Sequence, residues 1–253
     1  MKKILALALA VLMTLCLLCA CTPAKDEGKL VMATNANFPP YEYMEGEEYA
    51  GIDIELAQKI AEKLGKELVI ENIEFGAIVA GVETGKYDIG VAGLTITDER
   101  KLQVNFTDSY ATGVQVVIVK EGGSVNSLED LNGEDIMIGV QQDTTGHIYA
   151  SDTVENGGYG EDHVTAYLNG ADAVAALVSG KVNAVIIDNE PAESFVAANE
   201  GLKILDTEWL TEDYAIAVNK EDAQLLADIN KALAELKADG TIAGIVAKYI
   251  KAE

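Results

Sequence analysis

The alternation of short apolar runs with segments of helical spacing constrains the fold more than any other feature of the chain. The runs typical of strands span residues 29–35, 67–75, 87–96, 114–119, 135–141 and 182–188. The segments with helical spacing span residues 51–65, 77–84, 171–180 and 222–240. Such alternation is that of βαβ units, which build parallel sheets covered by helices. The sequence therefore predicts an α/β protein.

Polar residues and glycines at the ends of these segments predict where helices begin and end. Asp53 is placed to cap the start of the helix at 51–65, and Gly65 is placed to end it. Ser127, followed three residues later by Asp130, predicts a short capped helix over residues 127–133.

One segment of the chain is echoed further along. Residues 79–93, VAGVETGKYDIGVAG, align with residues 174–188, VAALVSGKVNAVIID, and in both a predicted helix ends at Gly-Lys before an apolar strand. The βαβ pattern alone favours such a resemblance, so coincidence is one explanation, and two similar α/β lobes are the one we prefer. The echo places Gly93 and Asp188 at equivalent strand ends. Ligands of open α/β sheets bind at the carboxyl ends of strands.

The first twenty residues predict a signal peptide, in which MKK precedes an apolar run at the short limit for crossing a bilayer. Residues 18–21, LCAC, resemble the lipobox of bacterial lipoproteins, which implies that Cys21 carries a lipid after cleavage. The alternative is an ordinary apolar leader with chance cysteines. Residues 21–28 are expected to form a tether. All three cysteines lie at or before this cut, so the rest of the chain has no thiol for a disulfide or a thiolate metal site.

The chain is strongly acidic, with 42 Asp and Glu against 18 Lys and Arg. Removing Lys2 and Lys3 with the leader leaves 16 basic residues and a formal charge of −26. Such a surface repels phosphate backbones, so nucleic-acid binding is disfavoured. His147 and His163 have no metal-like spacing, and no nucleophile or phosphate-loop motif occurs. We therefore expect a binding function with no catalytic residue, no metal and no cofactor.

Three features match what a free amino acid requires of a binding site. A carboxylate is held by an arginine fork and N–H donors, and an ammonium by a carboxylate. Arg100 ends the segment AGLTITDER near a predicted helix start, where N–H groups favour an anion. Thr144 and Thr145 open another helix after a strand, and Asp188 ends the strand VNAVIID.

Taken alone, each feature has a simpler explanation. Thr97 and Asp98 merely cap a helix, Arg100 pairs with a local acid, and Asp188 begins a turn before Pro191. For isolated features these explanations are preferred, so the case depends on their occurring together.

Together the motifs resemble those of the amino-acid-binding proteins of bacterial ABC importers, the extracellular solute-binding proteins of the polar amino-acid type. The resemblance covers the whole chain after the leader. The matching segments are ATNANFPPYEY (33–43), GIDIEL (51–56), IEFGAIVAGVETGKYDIGVAGLTITDERK (73–101), NFTDSY (105–110), IGVQQDTTG (138–146), AVIIDNEPA (184–192) and KADGTIAGIVAKY (237–249).

The resemblance implies a role for each residue of a ligand site. Arg100 would hold the α-carboxylate with the help of Thr95 and Thr145. Asp188 and the Gly93 carbonyl would hold the α-ammonium. The other residues implied in ligand binding are Asn35, Phe38, Phe75, Leu94, Gln141 and Thr144. Phe38 and Phe75 would be aromatic walls around the ligand side chain, and ordinary core positions are the alternative for both.

One departure from the family bears on the ligand. Many relatives carry an aspartate where this chain has Asn35, and several that bind cationic side chains use that acid. Asn35 brings no charge, which favours a neutral polar ligand, unless another acid such as Glu42 reaches into the site. Gln141 lies where side-chain contacts are also expected.

The implied architecture is a two-lobed periplasmic-binding-protein-like fold of type II, with two doubly wound sheets and a ligand cleft between the lobes. Residues 29–113 plus 211–253 are predicted to form the first lobe and residues 114–210 the second. The hinge crossings are expected near 110–114 and 211–215. A ligand that contacts both lobes favours the closed form, which a permease then recognises.

The implied protein is an extracytoplasmic, lipid-anchored monomer that captures a free polar L-amino acid and delivers it to an ABC permease. One rival is a cyclohexadienyl-dehydratase-like enzyme on the same fold, in which Arg100 would bind the carboxylate of the substrate. Asp188 as an ammonium acceptor argues against that enzyme. A second rival is a ligand-sensing module, which would need an output partner.

Overall fold

The structure, a computed structural model, describes residues 26–206 and 209–250. The predicted signal peptide and lipobox lie outside the described residues. The strands are β1 (Lys29–Thr34), β2 (Asn37–Phe38), β3 (Glu42–Glu45), β4 (Glu48–Ala50), β5 (Glu67–Asn72), β6 (Ile89–Gly90), β7 (Val104–Phe106), β8 (Ala111–Lys120), β9 (Ile138–Gln141), β10 (Val164–Tyr167), β11 (Ala184–Asp188), β12 (Leu202–Ile204), β13 (Leu210–Tyr214) and β14 (Ala217–Asn219). The α-helices are α1 (Ile52–Leu64), α2 (Ile78–Glu83), α3 (Asp98–Gln103), α4 (Thr145–Ser151), α5 (Gly170–Ser179), α6 (Asn189–Ala198), α7 (Ala223–Ala238) and α8 (Thr241–Tyr249). In this part of the chain no helix has the length and apolar character needed to cross a membrane.

The first sheet has the strand order β5-β1-β6-β14-β7. β1 is parallel to β5 and β6, and β14 is antiparallel to β6 and β7. The apolar faces of α1 and α7 pack on this sheet, so that Leu56, Ile60 and Ile229 are buried with Met32 and Ile89. We call this unit the first lobe.

The second sheet has the strand order β10-β9-β11-β8-β12, and β13 also pairs with β8. β9 is parallel to β10 and β11, whereas β11 is antiparallel to β8. α5 packs on this sheet through Ala173, Val174 and Leu177, which are buried against Val185 and Ile187. We call this unit the second lobe.

The two sheets share a topology at their centres. β1 lies between the parallel strands β5 and β6, as β9 lies between β10 and β11. The next strand, β14 in one sheet and β8 in the other, is antiparallel. β6 and β11 occupy equivalent places and belong to the two echoed sequence segments. The α/β class with two similar lobes is therefore confirmed.

The chain passes between the lobes on two strands that lie side by side. β8 and β13 pair antiparallel, with Ala111 opposite Tyr214 and Gln115 opposite Leu210. At the first-lobe end, the N–H of Ile96 donates to the carbonyl of Asp213 at 3.0 Å. The residues at which one lobe ends and the other begins stay a prediction.

α1 ends at Gly65 as predicted, but Asp53 does not cap its start. Gly65 ends the helix with a left-handed φ of 67°. Gly51 is the N-cap, with a φ of 123°, and no side chain caps the helix. A Cβ at Gly51 would lie 2.1 Å from the carbonyl oxygen of Tyr41, so this close approach requires glycine. The prediction that Asp53 caps α1 was wrong, because its carboxylate turns inward and is fully buried.

Two other predicted elements are shorter than expected. The run at 87–96 forms a regular strand only at β6, because the chain turns at Gly93, which has a φ of 50°. The segment 127–133 forms a 3₁₀ turn over Glu129–Asn132. The carboxylate of Asp130 accepts the N–H of Ser127 at 3.0 Å, whereas the Ser127 side chain caps nothing. Only half of the predicted capping arrangement is therefore present.

Candidate ligand-binding site

A cavity lies between the two lobes, beside the crossing strands. It contains about 310 Å³ of space, including its open mouth. The lining residues that the sequence predicted are Asn35, Phe38, Phe75, Gly93, Thr95, Arg100, Gln141, Thr144, Thr145 and Asp188. Glu42 and Ala92 also line it. The fold thus brings the predicted site residues into one place, with the exception of Leu94.

Leu94 lies in the core of the first lobe. Its side chain is fully buried in a cluster with Ile78, Val82 and Val104. Its carbonyl accepts the N–H of Ala215 at 3.1 Å. The predicted role of Leu94 is corrected accordingly, because the turn at the preceding glycine directs its side chain away from the cavity.

Arg100 lies at the start of α3, and its guanidinium reaches the cavity. Thr97 caps the helix by accepting the N–H of Arg100 at 3.1 Å. The guanidinium donates from Nη1 to the Thr95 carbonyl at 2.8 Å and from Nη2 to the Asp143 carbonyl at 3.1 Å. Its central carbon lies 5.5 Å from the centre of the Phe75 ring. Contacts from both lobes therefore hold this side chain in place.

The guanidinium of Arg100 forms no salt bridge with any carboxylate of the described residues. Asp98 pairs with Lys101 instead, at 3.1 Å, so the alternative of a local ion pair is wrong. Burial lowers the pKa of Arg100, and the negative charge of Glu212 opposes this; arginine stays protonated all the same. A guanidinium has five N–H donors, and two carbonyls do not exhaust them. The group is therefore suited to bind an anion.

The turn after β9 closes the cavity from the second lobe. Asp143 has a φ of 63°, which is uncommon for a residue other than glycine. Its N–H donates to Nδ1 of His147 at 3.1 Å. Thr144 donates to the Gln141 carbonyl at 2.8 Å and caps α4 by accepting the N–H of His147 at 3.2 Å. As the sequence predicted, Thr144 and Thr145 open a helix at this point.

Asp188 ends β11 with its carboxylate in the cavity wall. Its Oδ1 accepts the Tyr214 hydroxyl, and its Oδ2 accepts Nε2 of Gln115 at 3.0 Å. Burial, followed by the negative charge of Glu212, raises the pKa of Asp188 to about 7. The carboxylate makes no cap bond to α6, so a helix-start role does not explain it. An ammonium group beside it would favour the ionised form.

Glu212 is a buried carboxylate behind the cavity that the sequence analysis missed. It lies on β13 and is 6% exposed. Its Oε2 accepts the hydroxyls of Thr95 at 3.0 Å and Thr145 at 2.8 Å, and Nε2 of Gln115 at 3.1 Å. Thr95 belongs to the first lobe and Thr145 to the second. One carboxylate therefore engages both of the threonines that were predicted to help hold a ligand carboxylate.

Another buried carboxyl group, that of Asp53, holds Gly93. The N–H of Gly93 and the hydroxyl of Tyr110 each donate to Asp53 Oδ2 at 2.8 Å. Glu42, on β3, is buried and lines the cavity. Burial, followed by the negative charge of Asp53, raises the pKa of Glu42 well above its usual range. Because a Cβ at Gly93 would lie 3.0 Å from the Phe38 ring, the left-handed turn that exposes this backbone to the cavity requires glycine.

Asn35 and Gln141 meet across the cavity. Nδ2 of Asn35 donates to the Ile73 carbonyl at 2.7 Å, and its Oδ1 accepts Nε2 of Gln141 at 3.2 Å. Oε1 of Gln141 is buried without a donor among the described residues. The lobes are therefore joined by side-chain hydrogen bonds in this structure, and Gln141 keeps one unused acceptor.

The two predicted aromatic walls differ in environment. Phe38 is 8% exposed and belongs to a hydrophobic cluster that includes Tyr41 and, from the second lobe, Leu177. Phe75 is only partly buried and faces the guanidinium of Arg100. Phe38 thus serves the core as well as the cavity, whereas Phe75 is mainly a cavity residue.

The fold and this cavity define a class of protein: a two-lobed α/β protein with a cavity between its lobes, lined by a buried arginine and a buried aspartate. The residues described contain no group of three or more His, Cys, Asp or Glu side chains able to hold a metal ion. The chain belongs to the bacterial extracellular solute-binding proteins, family 3, which it matches over residues 30–252. The predicted family and the predicted two-lobed fold are therefore confirmed.

Known relatives agree with this assignment. The arginine-binding extracellular protein ArtP of Bacillus subtilis (strain 168) is 30% identical over 260 residues, covering 100% of both chains. A solved structure of an ancestral arginine-binding protein bound to arginine is 39% identical with a TM-score of 0.81, covering 88% of this chain and 98% of that one. The ancestral amino-acid-binding protein AncCDT-1, described as a precursor of cyclohexadienyl dehydratase, is 32% identical with a TM-score of 0.80, covering 88% and 96%.

Proposed function

We propose that the protein captures a free amino acid outside the cytoplasm and delivers it to an ABC import permease. The observation that carries the proposal is the pairing of unlike charges in one cavity. Arg100 is buried without a carboxylate partner among the described residues, and Asp188 is buried in the same lining. A zwitterion that places its carboxylate at one and its ammonium at the other would neutralise both.

The carboxylate end of the ligand is assigned to Arg100, Thr95 and Thr145. The guanidinium is already oriented by two backbone carbonyls, so little side-chain entropy is lost when it binds an anion. The threonine hydroxyls donate to Glu212 in this structure. A threonine hydroxyl that donated to the ligand would first have to give up its hydrogen bond to Glu212. We therefore assign the main share of carboxylate binding to Arg100.

The ammonium end is assigned to Asp188 and the carbonyl of Gly93. Tyr214 and Gln115 fix both oxygens of the Asp188 carboxylate, and Asp53 fixes the N–H of Gly93. The remaining lining residues would surround the side chain of the ligand. These are Asn35, Phe38, Glu42, Phe75, Ala92, Gln141 and Thr144.

Ligand binding is proposed to stabilise the closed arrangement of the lobes. Arg100 and Asp143, like Asn35 and Gln141, are hydrogen-bonded across the cavity. A ligand held from both sides adds contacts that exist only when the lobes are closed, which shifts the population towards that form. The proposed lobes are residues 29–113 plus 211–253 and residues 114–210, and β8 and β13 provide the hinge.

Anchoring to the membrane and delivery to a permease are further parts of the proposal. Relatives that bind amino acids for ABC transporters support delivery to a permease; one of them is named ABC transporter arginine-binding protein 1, from Escherichia coli (strain K12). The family is extracellular. We assign lipidation to Cys21, whose LCAC context resembles a lipobox, and this would keep the protein at the outer surface of the membrane.

Binding without catalysis is favoured over the dehydratase alternative, although one structural neighbour is named a precursor of such an enzyme. A prephenate-like substrate carries two carboxylates, whereas the cavity lining holds a single arginine beside Asp188 and Glu42. The second carboxylate would therefore face buried acids and no cation. Release of an aromatic acid from prephenate by the purified protein would revive the enzyme.

The direct test is calorimetric titration of the purified, ligand-stripped protein with the twenty amino acids. We expect micromolar binding of a few of them, which corresponds to about −8 kcal/mol. Arg100→Ala should weaken this binding by at least about 30-fold, because one partner of a desolvated ion pair costs about 2 kcal/mol or more. Lys101→Ala is the matched control, since Lys101 is exposed on the same helix. Absence of binding by the folded protein would overturn the proposal.

A further inference from the structure

The hydroxyls of Thr95 and Thr145, which line the ligand cavity, both donate to Glu212. Oε2 of Glu212 accepts Oγ1 of Thr95 at 3.0 Å and Oγ1 of Thr145 at 2.8 Å. Glu212 itself lines a different cavity, which it shares with Tyr149 and Leu210. A hydroxyl has one proton to donate, so neither threonine can donate to a ligand while it donates to Glu212. The two hydroxyls therefore have a role other than holding the ligand carboxylate.

Glu212 joins three parts of the fold through one oxygen atom. It lies on β13 opposite Gly113 of β8, where the chain crosses between the lobes. Thr95 lies in the first lobe, between β6 and α3, and Thr145 is the first residue of α4 in the second lobe. Gln115, on β8, donates to the same Oε2 at 3.1 Å. Since both hydroxyls lie within 3.0 Å of one atom, they can share it only while the lobes are together.

The carboxylate of Glu212 is poorly suited to a purely structural role. The residue is 6% exposed, and its Oε1 is buried without a donor among the described residues. A buried carboxylate with one oxygen unpaired reduces stability, and a well-packed apolar side chain in its place is often neutral or stabilising. What the acid supplies here is one acceptor that two hydroxyls from separate lobes can reach at the same time.

We propose that Glu212, Thr95 and Thr145 form an interlobe bracket, which draws the lobes together whether or not a ligand is bound. The proposal rests on the proposed function and leaves the ligand carboxylate to Arg100. Glu212 is a positioning residue, because it acts on the ligand only through the fraction of the protein that is closed. The apparent affinity of every ligand scales with that fraction. The bracket therefore sets how tightly the protein binds, and not which amino acid it binds.

Small-angle X-ray scattering of the purified, ligand-stripped protein tests the bracket without a ligand. Thr145→Val removes one hydroxyl at the same shape and charge, and Glu212→Met removes the acceptor. Both variants, shown to be folded by circular dichroism, should have a larger radius of gyration than wild type. Thr145→Ser and Glu212→Gln keep a hydroxyl and an acceptor, so both should stay close to wild type. Thr211→Val is the matched control, since Thr211 is exposed on the opposite face of β13.

Calorimetry with arginine and glutamine at pH 8 measures the effect of the bracket on binding. The pKa of Asp188 is about 7, so its carboxylate is largely ionised at this pH. Thr145→Val should weaken the binding of both ligands by the same factor, about three- to tenfold, because water replaces the lost partner when the lobes open. In a Glu212→Met background no bracket remains, so Thr145→Val should leave the affinity unchanged. The charge that Glu212→Met removes is absent from both members of this second pair and cancels.

Each other outcome contradicts the proposal in a distinct way. Equal radii of gyration in wild type and Thr145→Val would overturn the bracket, whatever the ligands do. If Thr145→Val weakens binding by the same factor with and without Glu212, its hydroxyl contacts the ligand itself, and the bracket is wrong while the proposed function stands. If neither amino acid binds the wild type, scattering still decides on the bracket, and the titration with all twenty amino acids decides separately on the proposed function. If Glu212→Met does not fold, the radii of Thr145→Val and Thr145→Ser decide.

Discussion

Asp188 is predicted to cost the protein stability in exchange for function, and Asp188→Asn tests this. The carboxylate is fully buried, and burial together with the charge of Glu212 raises its pKa to about 7. In the unfolded chain the same group has a pKa near its ordinary value of 3.8. As the pH rises through this window, the unfolded state loses its proton first, so the folded state becomes relatively less stable. The penalty is complete above pH 7.

The size of the effect follows from the pKa difference. About three units correspond to roughly 4 kcal/mol at pH 8. The asparagine retains one oxygen acceptor where the aspartate offers two to Tyr214 and Gln115, which gives back about 1 kcal/mol. We therefore expect Asp188→Asn to raise the free energy of unfolding at pH 8 by roughly 1–3 kcal/mol. At pH 5 the gain should shrink by more than half, because most of the penalty has not yet developed.

Urea unfolding at pH 8 and pH 5, followed by circular dichroism, measures both values. Asp213→Asn is the matched control, since Asp213 is exposed on β13 and is solvated in both states. The same substitution at Asp188 should weaken amino-acid binding by about 30-fold or more, because the ammonium loses its ionised partner. A variant that is less stable than wild type by the same amount at both pH values would refute this account of Asp188.

Further predictions concern the residues around this site. The affinity for glutamine should rise with pH up to about 7 and then level off, as Asp188 ionises. Glu212→Gln should move this pH profile of affinity to lower pH, because it removes a negative charge beside Asp188. A wild-type affinity that does not change with pH would contradict this prediction. Gly113→Ala places a Cβ 2.1 Å from the Tyr214 hydroxyl, so urea unfolding should show a loss of about 1–3 kcal/mol; full stability would show that the strand shifts freely. Thr97→Ala removes the cap of α3 and should cost about 1 kcal/mol, whereas Thr97→Ser should restore it.

Arg100 could be identified as a candidate from the sequence because the residues that position its helix lie close to it along the chain. Thr97 caps the helix within three residues, and the glycine turn at Gly93 precedes it on the same short segment. The alternation of strands and helices then places the ends of β6 and β11 at one cleft. Short-range signals of this kind made Arg100, Thr144, Thr145 and Asp188 candidates, whereas their roles and the other lining residues were implied by the resemblance to the family.

Glu212 was missed because its burial depends on distant partners. The segment TEDY reads as polar surface, yet β13 pairs with β8 and meets Thr95 and Thr145 from separate lobes. One signal was present. Side chains alternate along a strand, so Glu212 shares a face with Tyr214, which is fully buried. That alternation would have marked it as an inward-facing acid.

For Asp53 the error was to give a buried residue a local role, that of a helix cap. A carboxylate near a helix start is a common cap, and this local reading was preferred. In the structure the close approach of Gly51 to Tyr41 fixes the helix start, and Asp53 instead accepts hydrogen bonds from the N–H of Gly93 and the hydroxyl of Tyr110. No short-range pattern contains that arrangement, because its members come from separate segments of the first lobe.

The central claim is that an amino acid lies between Arg100 and Asp188, and a crystal structure of the protein with bound arginine tests it most directly. We predict the α-carboxylate within hydrogen-bond distance of the Arg100 guanidinium, the α-ammonium against Asp188 and the Gly93 carbonyl, and the side chain among Asn35, Phe75 and Gln141. An arginine bound in the reverse orientation, or bound outside this cavity, would contradict the account.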